Sequence, residues 1–524
     1  MIVRSTSLRA RLGLVALVAG YAFLDLVAGA PNSPLTPVLP PRVGPARWSI
    51  RGAEWLGLSR LSLIGLTIVS LLILAALVVA LGVVFVEAWR GRVRLGAVLA
   101  AVGVSLALAV VAPVLLSRDV YSYAVYGRIL TLHGANPYVA PPSAFPFDPF
   151  VHVASREWID APSVYGPAFT LLSGAVAWVW GGSVAGTLLA FKVIAAASVW
   201  VACLLAGRTA ETIRPGREAA VATAIGLNPV MVVHTVGGGH NDALLAVCIA
   251  GALALAVRSE VSTDLRARNG HATGPTFLGA TTLLTLAVLV KSVALPLLLL
   301  WLWHVVRRAS ADRRGMALVT HGILVVALAL AGFARFAAGG GAFRALISVA
   351  SRQGWASGPG LVVRGARAFG RAIGGGSTGV ALDTLVSVAF AALFLALFWR
   401  IFTRSYTFDQ PDAWGRSMLL FALAAPYFLP WYAAWFLPLV VFVEDSALVV
   451  IGLSAAGLLA LTGVPAEPGA APQAWQAMML GVHYGAAPLM LGMLAVAVRR
   501  TLAGTGSETA ARPSLEPPRT TSSP

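Results

Sequence analysis

Charged residues are scarce in this 524-residue sequence, since Asp, Glu, Lys and Arg together make up only 11% of it. Lysine is rarer still, because Lys192 and Lys291 are the only lysines among the 38 basic residues. A typical soluble domain is about one quarter charged, so this composition excludes an ordinary soluble enzyme. A Walker-type glycine loop is also missing, so we do not expect ATP or a nucleotide sugar as the immediate reactant.

Cysteine and metal-binding patterns are equally poor. The two cysteines, Cys203 and Cys248, lie in apolar segments, which gives no support for a disulfide framework. The eight histidines include no pair at the i, i+4 spacing of a zinc motif. The sequence therefore predicts neither a cofactor nor a metal site.

Long apolar blocks dominate what is present, and hydrophobic residues make up 58% of the chain. A bilayer span needs about 20 apolar residues, and blocks of this length suit helices rather than the short strands of a barrel. We predict an all-α polytopic membrane protein with about 12–14 transmembrane helices. The net charge of +17 is concentrated in short loops and tails. Membrane orientation and anionic membrane lipids explain it, so no nucleic-acid partner is implied.

Arginine-rich short loops predict the topology by the positive-inside rule. They place in the cytoplasm the N-terminus and segments 90–94, 207–218, 258–268, 307–314 and 499–500. The long loops 118–183 and 337–379 then face the extracytoplasmic side of the cell membrane. We predict one transmembrane domain over residues 1–498 and a disordered cytoplasmic tail over 499–524.

Three segments need separate interpretation. The first apolar run also fits a signal peptide, but Asp25 interrupts its apolar core and favours a retained span. Block 166–181 is short and is predicted as a re-entrant or juxtamembrane helix. Segment 276–306 has basic loops at both ends, so it is predicted to enter the membrane and return, with Lys291 at the tip of the hairpin.

The stretch "SRDVYSYAVYGR" places Asp119 at the outer end of a predicted span. Partial burial raises the pKa of a carboxyl group, which suits a general base acting on a sugar hydroxyl. The alternative is an interfacial anchor, because tyrosine and arginine are common at the depth of the lipid headgroups.

The "GGGHND" turn lets the backbone approach a ligand closely and offers the side chains of His240 and Asn241 to it. A tight turn between helices, with Asp242 as the N-cap of the next one, is the simpler alternative. Lys291 needs a partner inside the membrane, either a buried carboxylate or the phosphate of a lipid ligand. It is otherwise a lysine that extends its ammonium group towards the membrane surface.

Two more outer segments carry candidate ligand contacts. Arg352 lies in loop 337–379, which is rich in arginine against the positive-inside trend and therefore suggests an anionic ligand. The segment "PYFLPWYAAW" supplies Trp431 and Tyr432, whose rings suit either stacking on a sugar or an interfacial aromatic belt.

An ordered set of motifs resembles a known family. These are "SRDVYSYAVYGR", "HGANPY", "YGP", "LNPVMVVHTVGGGHND", "VKSVALPLLLL" and "PYFLPWYAAWFLP", spread over about residues 90–445. The set is similar to the actinobacterial polyprenol-phosphate-mannose-dependent α-1,6-mannopyranosyltransferases of the GT-C superfold. Within that family, the set looks most like the enzymes that build the mannan backbone of lipomannan and lipoarabinomannan.

That resemblance implies transfer of mannose from polyprenyl-phosphate-mannose to a lipid-anchored mannan, with inversion at the sugar carbon. It implies that Asp119 is the catalytic base and that Lys291, with Arg352 as a second candidate, stabilises the departing phosphate. Val120 follows Asp119 where some relatives have a second acid, so we predict metal-independent activity. The remaining candidate substrate contacts are Arg128, His240, Asn241, Tyr121, Tyr123, Tyr126, Tyr138, Tyr165, Trp431 and Tyr432.

Two other functions remain open at this point. A transporter or flippase for a lipid-linked saccharide would use similar arginines and aromatic residues, although we find no internal repeat of the kind common in transporters. A GT-C enzyme that uses another polyprenyl-phosphate sugar is the second alternative, because nothing in the sequence distinguishes sugar epimers.

Overall fold

The computed structural model describes residues 5–39, 47–265, 272–336, 354–404, 410–467 and 472–503. Its first nine helices are α1 (Leu8–Ala28), α2 (Arg47–Trp55), α3 (Leu63–Trp89), α4 (Leu95–Val111), α5 (Asp119–Thr131), α6 (Pro167–Trp180), α7 (Val184–Ile213), α8 (Glu218–Gly226) and α9 (Asp242–Leu265). The next nine are α10 (Pro275–Val290), α11 (Leu295–Arg308), α12 (Arg314–Phe333), α13 (Gly358–Arg404), α14 (Gln410–Ala424), α15 (Leu437–Val440), α16 (Ser446–Ala460), α17 (Pro472–Leu480) and α18 (Ala487–Ala503). Two strands of two residues, β1 (Gly354–Trp355) and β2 (Tyr427–Phe428), pair in parallel.

The predicted class, an all-α polytopic membrane protein, is confirmed, since helices make up 78% of the structure. Within the described ranges, seven helices are long and apolar enough to cross a membrane, or eight if the bent pair Glu218–Gly226 and Val230–Val236 forms one span. Four more apolar helices, α4, α6, α10 and α16, have 14 to 17 residues. Such helices are short for a hydrocarbon core of about 30 Å, so the count of 12–14 spans stays a prediction.

Helix α3 shows how these spans divide between protein and lipid. Leu74, Leu77 and Leu81 are buried at intervals of three and four residues, while Leu72 and Val79 are exposed on the other side. Helix α1 packs against the buried face, where Gly20 comes so close to Leu77 that a side chain on the glycine would overlap it. The exposed face is as apolar as the buried one, as expected for a helix in contact with lipid.

The chain between α4 and α5 sets the position of Asp119. This connector, residues 112–118, is held by backbone hydrogen bonds from the Leu115 amide to the Gly237 carbonyl (3.1 Å) and from the Leu116 amide to the Leu35 carbonyl (2.8 Å). Leu116 adopts the left-handed conformation, with φ of 59°. The connector therefore lies between the triple-glycine turn and the loop that follows α1.

Helix α6 packs between α5 and α10. A Cβ atom on Gly127 of α5 would lie 2.1 Å from the Ser173 carbonyl oxygen, and one on Gly166, just before α6, would lie 2.0 Å from that of Leu289. The Gly166 amide also donates to the Val290 carbonyl at 3.1 Å. Because both contacts leave no room for a side chain, α6 brings the helix that begins at Asp119 close to the one that ends beside Lys291. With 14 residues, or about 21 Å, α6 is too short to cross a bilayer alone.

Residues 219–236, an apolar stretch of the length of a span, do not form one continuous helix. Helix α8 ends at Gly226, a π-helix covers Val230–Val236, and the two are bent by 41°. Pro229 lies at the break and has no amide hydrogen with which to continue the helix. The bend directs the end of the π-helix into the Gly237–Gly239 turn that precedes His240.

Several predicted boundaries differ from the structure. Part of the predicted outer loop 337–379 is helical, because α13 begins at Gly358 and turns sharply at Gly375, where φ is +78°. Residues 432–447, whose apolar composition predicts a span, instead hold the larger part of a 3₁₀ helix, Pro430–Trp435, and the four-residue α15. The predicted tail begins at 499, but α18 continues to Ala503. Residues 504–524, and Arg352 of the outer loop, lie outside the described residues.

Candidate active site

Asp119 is the first residue of α5, and its backbone amide donates to the Ser117 hydroxyl at 3.1 Å. Its side chain is 20% exposed. Burial raises the pKa of Asp119 to about 7, while the positive charge of Lys291 opposes this shift and the charges of Asp242 and Glu157 add to it. A carboxylate with a pKa near neutrality can both accept and release a proton under physiological conditions.

His240 lies beside Asp119 and is 1% exposed. Its Nδ1 atom is 3.6 Å from Asp119 Oδ2 and 3.4 Å from the Tyr123 hydroxyl oxygen. The Trp431 indole stacks on the imidazole with ring centroids 3.7 Å apart. Burial, followed by the charge of Lys291, holds the pKa of His240 well below its usual value, so the ring is neutral. A neutral imidazole next to a carboxylate can orient a hydroxyl group without adding a charge.

Lys291 lies in the extended break between α10 and α11, with φ of −155°. Its Nζ atom donates to Asp242 Oδ1 at 2.7 Å and lies 4.5 Å from the centre of the Tyr432 ring and 5.2 Å from that of Trp435. The Trp435 indole N–H donates to the same Asp242 oxygen at 2.5 Å. The ammonium group is therefore fixed by one carboxylate and two stacked rings, and the Lys291 side chain as a whole remains 18% exposed.

These groups form one electrostatic centre. The charge of Lys291 acts on both Asp119 and His240, and the charge of Asp242 acts on Asp119. Such interactions are large only between groups that share a partly desolvated region. The structure thus brings together Asp119, His240 and Lys291, which are predicted site residues from three separate parts of the chain.

Several buried polar atoms of the glycine-turn segment have no hydrogen-bond partner among the described residues. They are His240 Nε2, both side-chain amide atoms of Asn241, and Asp242 Oδ2. Buried polar groups in native proteins are rarely left unpaired, because desolvation without a partner costs about 1–3 kcal/mol per group. Four such atoms on three consecutive residues favour a place where a polar ligand is bound.

The tyrosines of α5 have different surroundings. The Tyr123 ring makes edge-on contacts with Tyr165 and Phe169, with ring centroids 4.8 Å apart in both pairs. Its hydroxyl group lies against His240. The Tyr126 hydroxyl donates to the Ala161 carbonyl at 2.8 Å. Tyr121 lines a cavity of about 930 Å³ whose lining does not include Asp119, His240 or Lys291. Of the three, the structure places Tyr123 in contact with His240.

The remaining predicted residues pack inside the first outer loop. The Tyr138 hydroxyl donates to the Tyr165 carbonyl at 2.7 Å. Arg128 forms an ion pair with Asp148 at 2.8 Å, and its guanidinium lies 4.5 Å from the Phe150 ring centre. The structure therefore ties Arg128 to the fold of the loop and does not bring it to the centre around Asp119. A substrate-binding role for Arg128 and Tyr138 stays a prediction.

Asp242 and Trp435 belong to the centre, although sequence reasoning left them out of the predicted site. Asp242 resembled a simple N-cap, and Trp435 was one of several aromatic residues at an outer turn. The available signal for Asp242 was that a lysine inside the membrane requires a partner. No local pattern indicates the contact between Asp242 and Trp435, which are 193 positions apart.

A metal ion in a protein is usually held by several His, Cys, Asp or Glu side chains that point to one position. In the part of the chain that the structure describes, no three His, Cys, Asp or Glu side chains converge in a way that could hold a metal ion. Metal independence of the activity stays a prediction.

The fold and the site define a class: a polytopic helical membrane protein in which a carboxylate of near-neutral pKa, Asp119, is under the influence of the charge of an ammonium group that is fixed by a second carboxylate. Comparison with known families agrees with the predicted resemblance. The chain belongs to the α-(1→6)-mannopyranosyltransferase family, whose N-terminal-domain model matches residues 32–307, just over half of its length.

Curated relatives carry the same family name. The chain is 30% identical over 352 residues to α-(1→6)-mannopyranosyltransferase A of Mycobacterium tuberculosis, an alignment that covers 62% of each chain. It is 31% identical over 145 residues to α-(1→6)-mannopyranosyltransferase A of Corynebacterium glutamicum, covering 28% of this chain and 29% of the relative. The chain thus spans between 29% and 62% of the length of these relatives. No solved structure matches the chain.

Proposed function

We propose that this protein transfers mannose from polyprenyl-phosphate-mannose to a growing lipid-anchored α-1,6-mannan, the backbone of lipomannan and lipoarabinomannan. The observation that carries the proposal is the arrangement of Asp119, which has a pKa near 7, in one centre with His240 and Lys291. Glycosyl transfer between a hydroxyl and a sugar phosphate needs a base and a cation at neighbouring positions. The names of the curated relatives support mannose as the sugar.

The reaction is a single inverting displacement. The oxygen of an acceptor hydroxyl forms a bond to the anomeric carbon of mannose while the bond from that carbon to the phosphate oxygen breaks. Asp119 accepts the hydroxyl proton, and polyprenyl phosphate leaves with the bonding electron pair. A β-linked donor gives an α-linked product in this way, as the family name requires.

Lys291 stabilises the leaving phosphate. That group gains negative charge as the bond breaks, and an ammonium held in place before the reaction stabilises the charge without reorganisation. Asp242 and the Tyr432 and Trp435 rings fix the lysine on one side, while its remaining exposed surface is available to an anion.

The sugars are held by His240 and Asn241, and Trp431 supports His240. The unpaired Nε2 atom of His240 and the amide of Asn241 suit sugar hydroxyl groups, which both donate and accept hydrogen bonds. Trp431 orients the imidazole by stacking on it. The centre faces the extracytoplasmic side in this proposal, because the arginine-rich short loops place the connections before α5 and α9 on that side.

Activity in detergent tests the proposal directly. Purified protein is incubated with a panel of polyprenyl-phosphate sugars and a short α-1,6-mannoside acceptor, and the product is examined by mass spectrometry and linkage analysis. We expect a new α-1,6-linked mannose only with the mannosyl donor. Detergent abolishes membrane sidedness, so a flippase would give no product. A product from another sugar donor alone would refute the choice of mannose.

A further inference from the structure

Lys192, the second of the two lysines, is buried in α7 with 2% exposure. Its Nζ atom donates to the carbonyl oxygens of Ala112 (2.6 Å) and Pro113 (3.1 Å). Ala112 directly follows the last residue of α4. Carbonyl groups at the C-terminal end of a helix lack partners within the helix and carry partial negative charge. The ammonium group of Lys192 therefore caps α4.

The segment that Lys192 holds leads directly to the proposed base. Ala112 and Pro113 begin the connector 112–118, and Asp119 follows it as the first residue of α5. Because the connector has no helical hydrogen bonds of its own, its path depends on contacts made at its ends and middle. Lys192 supplies the contact at its beginning.

The same lysine contacts the segment that carries His240. A Cβ atom built on Gly239 would lie 3.5 Å from Lys192 Cγ and 3.0 Å from Val120 Cγ2. Gly239 directly precedes His240 and has φ of +68°, a left-handed conformation that glycine adopts readily and other residues do not. The Lys192 stem, the first turn of α5 and the glycine turn thus pack against one another.

A buried lysine in a membrane span is energetically costly, and a nearby carboxylate reduces this cost. The charge of Asp25 on α1 acts on Lys192. Asp25 is itself buried, and its Oδ2 atom has no hydrogen-bond partner among the described residues. Neither Lys192 nor Asp25 belongs to the centre around Asp119, so the proposed reaction does not explain why these two ionisable groups are buried here.

We propose that Lys192 is a positioning residue for the transfer reaction: by holding the start of the connector and packing on the glycine turn, it fixes Asp119 and His240 relative to each other. The inference rests on the proposed function. Lys192 does not contact the substrate in this account, so its loss should lower kcat, through a displaced Asp119, much more than it changes KM.

The Lys192→Ala variant tests this role through chemical rescue. Lys192 lines the cavity of about 930 Å³ together with Tyr121, Leu188 and Leu189, so a small amine can reach the space that the truncated side chain leaves. We expect kcat to fall about 10- to 100-fold with KM within about twofold of the wild type, because a displacement of about 1 Å at a catalytic group has effects of this size. Propylammonium should restore kcat at least about fivefold, whereas 1-propanol should not.

Ser198→Ala is the matched control on α7, because among the described residues the Ser198 hydroxyl bonds only to the Ile194 carbonyl of its own helix. It should keep wild-type kcat with or without the amine. A Lys192→Ala variant with kcat within about twofold of the wild type, or a loss that propylammonium does not reverse, overturns the inference.

If the Lys192→Ala variant does not fold, kcat and KM of the Lys192→Gln variant test the inference instead. We expect a kcat at least about fivefold lower with KM unchanged, and an unchanged kcat overturns the inference. The two proposals fail in distinguishable ways. A wild-type protein that forms no glycosidic bond refutes the proposed function and the inference with it. An active wild type whose kcat is insensitive to Lys192 refutes the inference alone.

Discussion

Replacement of Asp119 by Asn removes the proposed base with little change in shape. The amide has the same size as the carboxyl group but cannot take a proton from the acceptor. The contact of the backbone amide with Ser117 does not involve the side chain and is kept. General-base catalysis typically contributes 10²- to 10⁴-fold, so we expect kcat to fall by about that factor. Donor binding should persist, because Lys291 and the aromatic residues are unchanged.

The pKa of Asp119 sets the pH dependence. Burial raises this pKa to about 7, so the ionised form that acts as a base predominates only above that pH. At pH 6 about one tenth of the carboxyl groups are ionised, and kcat/KM should fall about tenfold for each further pH unit below 6. Above pH 8 the rate should be nearly constant. The Asn variant should lack this acid limb.

The assay is mannosyl transfer in detergent from labelled polyprenyl-phosphate-mannose to a soluble α-1,6-mannoside, measured between pH 5 and 9. Ser122→Ala is a matched control in the same helix, because the Ser122 hydroxyl is buried without a hydrogen-bond partner among the described residues. It should behave as the wild type. Wild-type turnover by the Asn variant, or a wild-type rate that does not change between pH 5 and 8, would refute Asp119 as the base.

Three further changes probe the rest of the centre. Lys291→Met should lower kcat about 10²- to 10³-fold, measured in the same assay, and a variant that loses only thermal stability would contradict the role in phosphate departure. Lys291→Met leaves the Asp242 carboxylate buried without its cation, which should lower the melting temperature. Adding Asp242→Asn should recover the melting temperature but not kcat, because the cation is still missing. Gly166→Ala should lower both melting temperature and activity, because its Cβ would overlap the Leu289 carbonyl; Gly182→Ala, which meets no atom within 4 Å, should change neither.

The helical membrane class and the main residues of the centre could be predicted from the sequence. Long apolar blocks identify helices that satisfy their own backbone in lipid. Asp119, His240 and Lys291 are polar residues at the edges or breaks of such blocks, where polarity is costly and therefore indicates function. In the structure His240 Nδ1 lies 3.6 Å from Asp119 Oδ2, and the charge of Lys291 acts on both residues, while the site assignment and the chemical roles stay proposals.

Other contacts could not be predicted because they join distant parts of the chain. Arg118 pairs with Glu467, which is 349 residues away, at 2.8 Å, and nothing in the pattern around either residue indicates the other. Arg128, a predicted substrate contact, pairs with Asp148, which is 20 residues further along the chain, and nothing in the pattern around Arg128 indicates that pair. The short 3₁₀ helix Pro430–Trp435 begins in the predicted outer segment and continues into residues 432–447, whose apolar composition is that of a span.

The aromatic cover of the centre has a consequence for biogenesis. Asp119, His240 and Lys291 all lie within residues 32–307, the part that matches the family model, but Trp431 and Trp435 come from the last quarter of the chain. A nascent chain that has been inserted as far as residue 307 therefore has its acid, imidazole and ammonium groups without the rings that enclose them. The centre is completed only when the last quarter has left the ribosome, so a protein truncated before residue 430 should insert into the membrane and remain catalytically silent.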